Sequence, residues 1–283
     1  MVLPPNMVPA VVPDPPVTPK DAATVVLLRD TDAGMEAFLL RRVVGMAFAG
    51  GMTVFPGGGV DQRDADTAIA WTGPSAAWWA ERFSCDEPLA RALVCAAVRE
   101  TFEESGVLLA GPSADSVVSD TRPFAYARQA LVNREFSLAE FLADKGLVLR
   151  ADLLRPWANW VTPEEEPRRY DTKFFVAALP TGQRADGSTS EADHAEWRRP
   201  AEAIELWQAG ERGLLPPTWM TLSDLSEAGS VAAAMAMPRT IERVMPKVVR
   251  DGNVLRPVLP GDPAYDRAAS HLDPEPGDSL ERP

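Results

Sequence analysis

Two periodicities of apolar and polar positions run along this chain. Short β-branched or alternating runs predict strands, and apolar residues three and four apart predict helices. Residues 22–29 (Ala-Ala-Thr-Val-Val-Leu-Leu-Arg) predict a strand, and 35–42 predict a second. Asp30-Thr31-Asp32-Ala33-Gly34 between them is turn chemistry, so the two pair as a hairpin. Residues 53–55 predict a short strand that Pro56 ends. A short helix is expected at 76–83 and a long one at 88–105. Leu89, Ala92, Leu93, Ala96 and Ala97 fall on one face of the long helix. Asp86 or Glu87 offers its N-cap, Pro88 suits the first turn and Gly106 the C-terminal stop.

Amphipathic helices follow at 124–133 and 137–145, the second opened by a Ser137/Glu140 capping box. Strands are predicted at 157–161, 168–179 and 192–198, and helices at 200–208 and 217–235. Hairpins interleaved with helices predict an α+β fold or mixed-sheet sandwich, not a parallel doubly wound sheet, with helix 88–105 on one face. A single domain is expected over 21–265. The proline-rich lead-in 1–20 and the acidic, proline-rich tail 266–283 read as disordered.

Composition narrows the function. With 283 residues and a 46% apolar content the chain can bury a core without disulfides. A net charge of −13 excludes a general nucleic-acid or membrane-surface binder, but not a small phosphorylated substrate. Two cysteines, Cys85 and Cys95, and two histidines are too few for a disulfide framework or a Cys/His zinc site. The two cysteines read as buried free thiols in a reducing cytosol. The N-terminal stretch lacks the features of a signal peptide, and no apolar run reaches transmembrane length. A cytoplasmic location with no membrane partner is therefore expected. Oligomeric state stays open.

The chemistry concentrates at Arg99-Glu100-Thr101-Phe102-Glu103-Glu104-Ser105-Gly106-Val107. Glu100, Glu103 and Glu104 are at i, i+3 and i+4, so one helix face would gather their carboxylates. Two carboxylates about 5 Å apart repel by roughly 3 kcal/mol at an effective dielectric of 20. Such a cluster calls for a cation, and hard oxygen ligands suit Mg²⁺ or Mn²⁺ rather than zinc. Upstream, Phe55-Pro56-Gly57-Gly58-Gly59 permits backbone geometry closed to other residues and frees carbonyls for a ligand.

Together the glycine run and the 99–107 stretch resemble the Nudix box, G-x5-E-x7-R-E-(apolar)-x-E-E-x-G-(apolar). The second half matches at every charged position and at Gly106; Thr101 stands in for an aliphatic residue. The first half departs, since the glycines lie far upstream and Arg91 occupies the position of the first glutamate. The box is thus split by an insertion, read as 62–87. A split box resembles the Nudix branch that includes peroxisomal coenzyme A diphosphatases. Trp160-Val161-Thr162-Pro163, residues 168–175 and Leu215-Pro216-Pro217-Thr218 are similar to that branch too.

The resemblance implies the α+β Nudix fold, a mixed sheet sandwiched between helices (α/β/α) with a helical insertion and C-terminal helices, and metal-dependent hydrolysis of a diphosphate linked to another moiety. Coenzyme A or acyl-coenzyme A is the favoured substrate, giving 3′,5′-ADP and (acyl-)phosphopantetheine. A nucleotide sugar, a dinucleotide, capped RNA, or nucleotide binding without turnover are the alternatives. It also implies Glu100, Glu103, Glu104 and the Gly58 carbonyl as metal ligands, with Glu103 also a candidate for proton transfer. Arg99, Gly57 and Gly106 would be structural. A further catalytic carboxylate is expected from Glu191 or Glu196. Arg41, Arg42, Arg168 and Arg169 are candidate phosphate contacts. Glu164–Glu166 reads as a solvated turn and His194 as exposed or structural. The insertion and the helical region 123–145 would shape the pocket for the linked moiety.

Overall fold

The computed structural model describes residues 13–46, 49–251, 254–266 and 268. The expected lead-in up to residue 12 and the tail beyond 268 lie outside the described residues. The chain divides into two compact units. Of the described residues, the larger holds those within 21–159 and 172–242, and the smaller those within 13–20, 160–171 and 243–268.

In the larger unit, β1 (Lys20–Thr31) and β2 (Gly34–Arg42) form the predicted hairpin, with Leu28 opposite Ala37 and Thr31 opposite Gly34. The turn needs a backbone that glycine adopts readily: Gly34 has φ +115°. β3 (Met52–Val54) pairs with the end of β2. The glycine run is not a free turn. It forms β4 (Gly57–Gly59), antiparallel to β1, with Ala23 opposite Gly58. The pairing supplies hydrogen-bond partners that a loop would take from water, which is why a segment of low strand propensity extends here.

After β5 (Trp71–Thr72), helix α1 (Ala76–Phe83) starts on a Ser75 cap. The organising helix, α2 (Glu87–Ser105), starts where Asp86 accepts a hydrogen bond from the Leu89 amide. It stops at Gly106, left-handed at φ +73°, whose amide donates to the Phe102 carbonyl. From Ala92 to Val98 it is buried all round, beyond the single face its pattern predicts. Small side chains let it sink between layers. Val25, Leu27, Phe38 and Leu40 of the sheet lie in its cluster, as do Trp79 and Phe83 of α1. Thr101 fits this interior because its hydroxyl donates back to the Ala97 carbonyl at 2.7 Å.

Beyond α2 come β6 (Ala110–Gly111), α3 (Ala125–Val132), α4 (Leu138–Asp144) and β7 (Val148–Arg150). The Ser137/Glu140 capping box opens α4 as predicted. β5, β7 and β6 form a small separate sheet that local pattern does not reveal. Strands β8 (Leu154–Val161), β9 (Tyr170–Ala178) and β10 (Ala192–Arg198) complete the main strands, followed by α5 (Pro200–Gln208) and β11 (Gly213–Leu214). The main order within this unit is β11-β3-β2-β1-β9-β8, with β10 on β2 and β4 on β1. The β11–β3 pair is parallel, so the sheet is mixed as expected. One predicted helix, 217–235, is two: α6 (Pro216–Ala228) and α7 (Val231–Ala236). Gly229 at φ +72° ends the first, and Ser230 caps the second.

The smaller unit contains β12 (Arg243–Val244) and the hairpin of β13 (Lys247–Asp251) with β14 (Val254–Val258). Here the expectation of a solvated Glu164–Glu166 turn is corrected. Glu165 is 3% exposed, and burial beside Glu165 raises the pKa of Glu166.

Candidate active site

The site grows from the C-terminal end of α2 and from β4. Glu104 is buried, and its Oε2 accepts the Gly57 amide at 2.9 Å. Glu100, one turn earlier, presses on the next glycine: a Cβ at Gly58 would lie 2.5 Å from Glu100 Oε1. A side chain at residue 58 and the present carboxylate position exclude each other, which accounts for glycine there. Arg99 donates to Glu100 Oε1 at 2.7 Å and lies 3.4 Å from both Glu103 oxygens.

Arg99 has a partner that sequence reading missed. Its Nε and Nη2 donate to Asp64 Oδ1 and Oδ2, each at 2.9 Å, and Nη2 also reaches the Gly59 carbonyl at 3.0 Å. Asp64 is 2% exposed and sits in a short turn of 3₁₀-helix, Gln62–Ala65, where it also accepts the Asp61 amide. The signal was present. From Gly58, the G-x5-E spacing of the motif lands on Asp64, a shorter carboxylate of the same charge. The interruption of the motif therefore falls after this turn, between Asp64 and Arg99, rather than at residue 62. Arg91, standing where an unsplit motif has its glutamate, instead donates to the carbonyls of Thr67 and Ile69 within that segment.

Burial dominates the electrostatics. It pushes the Glu100 carboxyl up to about 7, with Glu103 adding to the rise and Arg99 opposing it. Burial also raises Glu103 and, further, Glu104, which feels the charge of Glu100. For Arg99, burial works against the cation, but Asp64, Glu100 and Glu103 outweigh it and raise its pKa.

The expectation that three carboxylates meet at one spot is corrected in part. Glu100 and Glu103 flank Arg99, whereas Glu104 turns to the Gly57 amide. Successive helix positions diverge by about 100°, so Glu103 and Glu104 cannot point the same way. Among the described residues no three His, Cys, Asp or Glu side chains converge as a finished metal cage. By donor type the set still suits a hard divalent cation. Glu100 and Glu104 are near enough to repel, both are desolvated, and a bare glycine strand lies against them.

Glu191, just before β10, belongs to this neighbourhood: its charge acts on Glu104, as does that of Arg42. Arg42 donates to Glu191 at 2.9 Å, and Arg41 to Asp193 at 2.6 Å. Glu196 does not belong to it. It pairs with Arg198, Arg212 and His194, which hold its pKa below the usual value against the effect of burial. It lies with Leu39, Ala203 and Leu206, on the sheet face towards α5, because strand residues alternate between faces. Leu40, opposite Ala195, and Phe38, opposite Trp197, point instead to the α2 side. His194 is half exposed.

Arg169 is not available to a phosphate in the way expected. It is buried in the smaller unit and donates to the carbonyls of Thr162 and Val17. Arg168 is exposed.

A mixed sheet between helices, with an acidic helix end facing a glycine strand, is the Nudix fold, and the chain is a Nudix hydrolase family enzyme. A crystal structure of a NUDIX hydrolase from Alicyclobacillus acidocaldarius superposes with a TM-score of 0.64 at 26% identity, covering 79% of this chain and 98% of that one. The NUDT19 Nudix domain family matches residues 75–225, just over half of the sequence, and the chain belongs to that family. The acyl-coenzyme A diphosphatase NUDT19 of Xenopus laevis is 26% identical over 191 residues, 61% of this chain and 50% of that protein. Its Gallus gallus counterpart is 29% identical over 196 residues, 61% and 51% of the two chains. The aligned region thus spans about half the length of those diphosphatases. Among the described residues no helix is long and apolar enough to cross a membrane.

Proposed function

We propose that this chain hydrolyses the diphosphate of coenzyme A or an acyl-coenzyme A. Water adds to one phosphorus, the P–O–P bridge breaks, and 3′,5′-ADP and (acyl-)phosphopantetheine leave. The observation that carries the reading is the pair of contacts between α2 and the glycine strand, Glu104 on the Gly57 amide and Glu100 on the Gly58 backbone. The names of the diphosphatase relatives support the substrate class.

Glu100 and Glu104 would hold Mg²⁺ or Mn²⁺, with Glu103 and the Gly58 carbonyl sharing that role. The bound ion supplies charge neutralisation at the diphosphate and lowers the pKa of a water. Glu191 is our first candidate to accept the proton of the attacking water, supported by the effect of its charge on Glu104, with Glu103 the second. Arg41 and Arg42 offer positive charge to the phosphate oxygens; each already faces a carboxylate, so substrate would compete with Asp193 and Glu191 for them. Arg99 orients the carboxylates rather than touching substrate.

The deciding experiment is Mg²⁺-dependent release of phosphopantetheine from coenzyme A and acyl-coenzyme A. ADP-ribose, NADH and diadenosine polyphosphates are compared in parallel. Wild type is expected to favour the coenzyme A compounds, and Glu103→Gln and Glu104→Gln to lose activity. Full activity in both variants would remove the assigned site, and a preference for another substrate would remove the coenzyme A reading.

A further inference from the structure

The last carbonyls of a helix have no partner within it and are normally left to water or a short cap. At the end of α2, groups distant in sequence take them. The Glu103 carbonyl accepts from Arg128 Nε of α3 at 2.9 Å, and the Ser105 carbonyl accepts the Asp186 amide at 2.9 Å. Arg128 Nη1 then donates to Asp186 Oδ1 at 2.8 Å. One guanidinium therefore holds both the helix end and the loop that follows β9. Its charge also complements the negative end of the α2 dipole. Gly106 makes room for it: a Cβ there would lie 2.9 Å from Arg128 Nη1.

From Asp186 the loop is tied bond by bond to the candidate base. Asp186 Oδ1 accepts the Ser188 amide at 2.9 Å, the Thr189 amide donates to the Gly187 carbonyl at 2.8 Å, and Thr189 Oγ1 accepts the Glu191 amide at 3.2 Å. Gly187 runs close to β10, where a Cβ would lie 2.5 Å from Ala195 Cβ. Upstream, Gln183 is 5% exposed. Its amide accepts from the Leu108 amide and donates to the Leu108 and Val118 carbonyls. This loop is thus fastened at both 183 and 186 to the chain leaving α2.

We propose that Arg128 is a positioning residue. Together with Asp186 it sets the loop that bears Glu191 against the end of α2 that bears Glu103 and Glu104. This rests on the reading of Glu191 as a catalytic carboxylate. The guanidinium touches no reacting atom. It acts by fixing the distance between two groups that must work on one substrate, where misplacement of about 1 Å can cost a hundredfold in rate.

The test uses the full chain with Arg128→Gln, Arg128→Lys, Asp186→Asn and the double variant Arg128→Gln/Asp186→Asn. Arg122→Ala, in an exposed pair with Asp120, is the control. Two readouts are taken: hydrogen exchange over 183–191, and kcat and KM for coenzyme A hydrolysis. Arg128→Gln and Asp186→Asn should each speed exchange over 186–191 and lower kcat at least tenfold, with KM within twofold. The double variant should be no worse than either single one, and Arg128→Lys should recover part of kcat. Asp186 is half exposed, so its variant keeps the test open if an Arg128 variant folds poorly. Unchanged exchange in both single variants, or kcat within twofold of wild type, or additive losses would overturn the proposal. Exchange is read whether or not coenzyme A is the substrate. A wild type that releases no phosphopantetheine with Mg²⁺ would count against the proposed function, and the exchange result would still decide the role of Arg128.

Discussion

Asp64→Asn removes the charge from the partner that holds Arg99, while keeping the shape of the side chain. Asp64 is 2% exposed and Arg99 9%, and two parallel hydrogen bonds of 2.9 Å join them. Breaking one side of a buried ion pair costs roughly 3–5 kcal/mol, because the remaining charge stays desolvated. Arg99 retains Glu100, Glu103 and the Gly59 carbonyl, so the loss belongs at the lower end, about 3 kcal/mol. Equilibrium urea unfolding of the metal-free protein measures it as a fall in midpoint at constant slope. Arg99→Gln alone should also destabilise, since it strands Asp64. The double variant Asp64→Asn/Arg99→Gln removes both buried charges and should lose less than the sum, by at least about 1 kcal/mol. An unchanged slope in each variant marks a single cooperative transition. A loss under about 0.5 kcal/mol for Asp64→Asn, or strict additivity in the double variant, would refute the view that this pair anchors α2 to the 3₁₀ turn at 62–65.

Glu100→Gln should stabilise the metal-free protein at neutral pH. A carboxyl raised from an ordinary 4.5 to about 7 binds its proton more tightly when folded, so its stabilising effect is full below pH 4.5 and is lost as pH rises through 7. The loss amounts to about 3 kcal/mol, and melting temperature against pH in EDTA should show the wild-type decline flattened in the variant. Gly58→Ala should cost little stability, because the group it meets is the movable end of Glu100. It should nevertheless reduce metal-dependent activity at least tenfold; unchanged turnover would separate Glu100 from the chemistry. Glu191→Gln should lower kcat strongly while Glu196→Gln leaves it near wild type. The reverse order would remove Glu191 from the chemistry and put Glu196 in its place.

How much of this was legible in sequence follows from which interactions are local. The hairpin at 22–42, the caps of α2 and α4, and the acidic end of α2 are written in neighbouring residues, and they appear as predicted. Gly229 dividing a predicted helix was a local signal too, overlooked because the apolar pattern continues across it. Asp64 was legible through motif spacing but hidden by the assumption that Arg91 marked its position. The small β5-β7-β6 sheet was not legible, because two-residue strands carry almost no periodicity and exist only through their partners.

Sequence by itself determined the class of chemistry: an Arg-Glu-x-x-Glu-Glu helix end stopped by glycine, with a glycine run to face it. Tertiary structure decided which groups work together. It brought the charge of Glu191 to bear on Glu104 and turned Glu196 to the sheet face towards α5, a placement that only the fold decides. It put Asp64 beneath Arg99 and turned Arg169 to backbone carbonyls. It also brought α3 and the 183–191 loop to the end of α2, a meeting of segments far apart in the chain that no local pattern encodes.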